Sequence, residues 1–94
     1  MPFTTEEKTA RRWQVIEAMG GWFREDEIDA IISDKEKLVR NIEFYQKQID
    51  DLENEFDKPG MNHIRASYTD KIQARNKKFL VALRAFLPVL EKEV

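Results

Sequence analysis

The stretch IDAIISDKEKLVRNIEFYQKQIDDLENEF, residues 28–56, decides the fold. Within it Ile28, Ile31, Lys35, Leu38, Ile42, Tyr45, Ile49, Leu52 and Phe56 recur at alternating intervals of three and four. Only Lys35 in that series is not apolar. The spacing places all nine on one stripe of a helix, whereas a strand exposes alternate residues and has no use for it. The repeat lasts about four heptads, so it calls for a partner helix along its length. The spacing predicts one continuous helix over residues 24–57. Ser33 and Glu36 offer an S/T-x-x-E capping box that would break it, but the heptad phase runs through that point and favours continuity.

On the C-terminal side, Lys58-Pro59-Gly60 is a turn signal, because proline disfavours helix at the residue before it and glycine tolerates positive φ. A second apolar stripe follows: Met61, Ile64, Tyr68, Ile72, Phe79, Leu83, Phe86 and Leu90, with Arg75 in its one gap. It predicts a helix over 61–87, capped near Asn62, that kinks or ends at Pro88, where the ring removes a donor and clashes with the Arg84 carbonyl. A short connection makes antiparallel neighbours, so the two long helices are expected to form a hairpin. If the turn centres near Pro59, Arg65 falls near Glu53, Arg75 near Glu43 and Arg84 near Asp34.

On the N-terminal side, Thr4 and Glu7 form a capping box that starts a helix over 5–19. Gly20-Gly21 ends it, since two glycines cost about 2 kcal/mol inside a helix and readily take a left-handed cap. Trp13, Ile16 and Met19 are the natural cover for residues 79–90, where Leu80, Val81, Leu87 and Val89 make the last helix apolar on several sides. The expected fold is all-α: a single domain over 1–94, a three-helix bundle with a long antiparallel, coiled-coil-like hairpin. A hairpin whose far end, residues 44–72, buries little would gain from pairing with a second copy, so a homodimer is expected.

The composition of the 94 residues narrows the function classes. There is no Cys and one His, which leaves no thiolate or His-cluster metal site. Met1 to Trp13 carries charges and no apolar run, so no signal peptide is expected, and the longest apolar run, Phe79 to Leu83, is far short of a membrane span. A soluble, cytoplasmic protein is the expectation. Net charge is −2, but residues 25–57 carry twelve acidic and four basic groups while 58–94 carry eight basic and three acidic. Two helices of opposite charge attract each other, which explains the asymmetry without a ligand.

No catalytic residue, cofactor or metal ligand stands out, and no family resemblance is specific enough to name. Asp26/Asp29 and Asp50/Glu53 have the i, i+3 spacing of Mg²⁺-holding carboxylates, but Asp29 and Asp50 fall opposite the apolar stripe and point to water. Lys35 and Arg75 interrupt the two stripes and are expected to snorkel to the surface. His63 begins a helix and has no second His or Cys beside it. Trp22 has no place in either stripe, Phe23 clusters with it around the Gly20-Gly21 turn and Phe44 falls on the outer face of the hairpin; these three are the candidate partner surface. Lys71, Arg75 and Lys78 lie at i, i+4 and i+7 and form a candidate flank for nucleic-acid phosphates. The favoured reading is a non-catalytic protein–protein interaction module, an adaptor, inhibitor or assembly factor. A nucleic-acid-associated regulator is the alternative.

Overall fold

A computed structural model of the chain describes residues 3–56 and 67–92. They form four helices, α1 (Thr5–Met19), α2 (Glu25–Ile32), α3 (Lys35–Phe56) and α4 (Ser67–Lys92), and among the described residues there is no strand. The Lys58-Pro59-Gly60 turn, Met61, Asn62, His63, Ile64 and Arg65 lie outside the described residues, as do the side chains of Phe56 and Tyr68.

α1 begins as its sequence dictates. The Glu7 amide donates to Thr4 Oγ1 and the Thr4 amide donates to Glu7 Oε1, both at 3.1 Å, so two amides of the first turn are satisfied reciprocally. Its end departs from the left-handed cap expected at the glycines. Gly20 stays right-handed (φ −64°, ψ −21°) and its amide donates to the Ile16 carbonyl. The position still needs glycine, because a Cβ there would come within 2.5 Å of the Ile16 oxygen.

The continuous helix expected over 24–57 is two helices. Acidic Glu25, Asp26 and Glu27 fill the first turn of α2, where they meet its positive end. α2 stops at Ser33, whose hydroxyl turns back to donate to the Ala30 carbonyl. Asp34, not Ser33, caps α3: its Oδ1 accepts from the Glu36 amide at 2.8 Å and its carbonyl accepts from the Leu38 amide. The break also changes which residues face inward. α2 buries Ile28 and Ile32 and leaves Ile31 half-buried, while α3 resumes with Leu38, Tyr45 and Ile49 buried and Lys35 exposed.

α4 packs against both α1 and α3, and α2 bridges α1 and α3. Val15, Met19, Ile28, Leu38, Phe79, Leu83 and Val89 are wholly or almost wholly buried in one cluster. The helix does not end at Pro88 but continues to Lys92. α1 supports that turn: the Arg11 guanidinium donates to the carbonyl of Ala85, next to the Arg84 carbonyl that Pro88 leaves without its helical donor. Trp13 does not close the core. Val15, Ala18 and Met19 set the buried side of α1, and Trp13 is left 53% exposed. Val81, expected to need cover, is 71% exposed.

The contacts between α3 and α4 are offset from the expected ones by a turn or more. Tyr45 meets Phe79, Gln73 Nε2 donates to the Ile49 carbonyl at 2.9 Å, Arg84 donates to Gln46 and Lys77 pairs with Glu53. Arg84 and Arg75 are thereby engaged with Gln46 and with aromatic rings, in place of the expected Asp34 and Glu43.

α1 and α2 are tied by Arg12, which donates through Nε and Nη2 to both oxygens of Asp29 at 2.8 and 2.9 Å and through Nη2 to Glu25. Asp29 therefore does not simply face water. Its hydrogen bond with Arg12 holds the carboxyl below its ordinary range. A lowered folded-state pKa means that the pair stabilises the fold above the unfolded value, about 4, and that this contribution is lost as pH falls through the lower folded value. Thermal melts are expected to show wild-type stability falling below about pH 4. Asp29→Asn, which cannot titrate, is expected to flatten that part of the profile, and an unchanged slope would show that other carboxyls control it.

Candidate functional site

The turn after α1 carries Trp22 and Phe23, and the middle of α3 carries Phe44 and Tyr45. α4 brings Phe79 between them. The Phe79 ring lies edge-on to Phe23 at 6.1 Å and to Tyr45 at 5.3 Å, and Tyr45 is edge-on to Phe44 at 5.1 Å. Edge-to-face contacts at these separations suit the ring quadrupoles. The Arg75 guanidinium completes the set, 4.7 Å from the Trp22 ring centre and 5.5 Å from that of Phe79. Trp22 and Phe44 stand at opposite ends of this chain of contacts and remain exposed, 63% and 54%.

The structure thus joins all three residues of the expected partner surface. Trp22 and Phe44 face solvent, whereas Phe23 is half-buried against the core and braces Phe79. It also places Arg75 differently from the phosphate-tracking row. Lys71 and Lys78 are exposed, but Arg75 is half-buried between aromatic rings.

α4 also carries buried polar residues on either side of Arg75 that the stripe did not reveal. Asn76 is 1% exposed and Gln73 is 6% exposed, both on α4. Arg75 Nη2 donates to Asn76 Oδ1 at 3.3 Å, a long bond. Three buried polar atoms have no partner among the described residues: Gln73 Oε1, Arg75 Nε and Asn76 Nδ2. The available signal was Gln73 and Asn76 at i, i+3 beside the stripe. Burial pushes the Tyr45 hydroxyl above its ordinary range, and the Arg75 charge pulls it partly back. Each orphaned atom costs about 1–3 kcal/mol, so these groups weaken the fold along this part of α4.

Elsewhere, a groove of about 690 Å³ between α1 and α4 is lined by Ala18, Val81, Ala82 and Ala85 with Glu17 and Lys78 among its polar residues, and none of the unpartnered buried atoms opens on it. Among the described residues no three of His, Cys, Asp and Glu are grouped to share a metal ion, and no helix is long and apolar enough to cross a membrane. Comparison of the chain with protein-family models, curated proteins and solved structures finds no match.

Proposed function

We propose that the protein is a non-catalytic interaction module that docks another protein on the surface bounded by Trp22 and Phe44. The observation that carries this reading is the pairing of two largely exposed aromatic rings with an aromatic base of buried Tyr45 and Phe79 and half-buried Phe23. Large aromatic side chains held by their surroundings supply contact area at low entropic cost, and interface hot spots are enriched in Trp and Arg. In this reading α3 and α4 act as an antiparallel hairpin that fixes the spacing between the two rings.

The test is capture from a lysate of the source cells, with wild type and Trp22→Ala/Phe44→Ala as parallel baits and quantitative mass spectrometry as readout. At least one protein is expected to be retained by wild type and depleted about tenfold or more on the variant. Identical captured sets would overturn the proposal. Homodimerisation through the far end of the hairpin belongs to the same proposal. Light scattering over a range of concentrations is expected to give twice the 11.2 kDa chain mass, and a constant monomer mass would remove it.

A further inference from the structure

We propose that Arg75 and Asn76 form a carboxylate-binding subsite beneath Trp22, and that it takes an aspartate or glutamate side chain from an acidic segment of the docked protein. The inference rests on the docking surface proposed above and names the chemistry of its occupant. Arg75 is a half-buried cation, and its partners among the described residues are two aromatic rings and the Asn76 amide oxygen. A cation taken partly out of water without an anion is costly, and a carboxylate is the group that offsets this best. The two orphaned donors belong to consecutive residues. Arg75 Nη2 bonds Asn76 Oδ1, so Arg75 Nε and Asn76 Nδ2 belong to the same small cluster. One edge of a guanidinium with an amide N–H beside it offers donors only, which matches an acceptor-only carboxylate. The third orphan, Gln73 Oε1, is an acceptor on an amide tied to the Ile49 carbonyl, and it takes no part.

Access follows from the local structure. Trp22 sits in the turn between α1 and α2, its backbone held by the bond from its amide to the Met19 carbonyl, and its ring is largely exposed. Arg75 Nε and Asn76 Nδ2 are both buried, so the proposed subsite requires the Trp22 ring to swing aside as the carboxylate enters. Charge favours an acidic occupant over a neutral one: Lys71 and Lys78 are exposed on the same helix, and residues 58–94 carry eight basic and three acidic groups.

The test is selection from a random peptide display library on the full chain. Recovered peptides are expected to be enriched in Asp or Glu next to apolar residues. Replacing that residue in the peptide by Asn or Gln, which needs no protein variant, is expected to weaken binding about tenfold or more, as is Arg75→Gln in the protein. Peptides that depend on Trp22 and Phe44 but show no acidic preference and no loss with the amide replacement would overturn the subsite and leave the docking surface standing. Peptides insensitive to Trp22→Ala/Phe44→Ala, or no selected peptide, would overturn both. A single-stranded oligonucleotide is the competing anion, and binding of it that is lost on Arg75→Gln would overturn the carboxylate assignment.

Discussion

Phe79→Ala is expected to destabilise the protein by about 3–5 kcal/mol, more than any substitution outside the core. Phe79 is 1% exposed and touches the rings of Phe23 and Tyr45 while lying against the Arg75 guanidinium. Truncation removes a large buried apolar side chain and leaves a cavity among three groups that come from the α1–α2 turn, α3 and α4. Those elements are fixed to different parts of the backbone, so they cannot all collapse into the space. A domain of this length has a total stability of about 5–14 kcal/mol, so the loss is a large fraction of it. Urea unfolding followed by circular dichroism measures it directly. Val81→Ala, at an exposed site on the same helix, is the control and is expected to change stability by about 0.5 kcal/mol or less. Equal effects at both positions would show that α4 is not packed as described.

Gln73→Met is expected to act in the opposite direction, raising stability by about 1 kcal/mol. Met has nearly the shape of Gln and carries no strong acceptor, so the substitution removes the orphaned Oε1 at little steric cost. What it gives up is one hydrogen bond, from Nε2 to the Ile49 carbonyl, worth about 1 kcal/mol net. That carbonyl lies within α3 and retains a helical donor in range, so it is not stranded. The gain from removing an unpaired buried polar atom outweighs the bond. Destabilisation by a similar amount in the same unfolding assay would mean that Oε1 is satisfied in solution and that the buried polar groups of α4 form a completed network.

The all-helical class was legible because 3–4 spacing over residues 28–56 admits no strand, and the start of α1 was legible in Thr4 and Glu7, whose bonds close on each other. The break at Ser33 and Asp34 was not, because the 3–4 spacing in the sequence runs across it although the helix does not, and Ile32 rather than Lys35 is buried there. Two residues there compete as caps, and Asp34 wins through its bond to the Glu36 amide. Trp13 was misjudged by its size. The i, i+3, i+4 spacing of Val15, Ala18 and Met19 sets the inner side of α1, and a residue two positions before Val15 lies about 200° around the helix. Of the site, the exposed rings were legible as residues with no stripe to belong to. The base that joins them was not, because it depends on where the turn after α1 lays Trp22, and that places Arg75 under an indole rather than in a basic row.

The most direct test of the docking surface is photo-crosslinking in the source cells, with p-benzoylphenylalanine at position 44 in one variant and at the exposed α3 position Glu36 in another. The account predicts a discrete protein adduct from position 44, lost when Trp22→Ala is added, and none of that mass from position 36. The same adducts from both positions, or an adduct indifferent to Trp22, would contradict it.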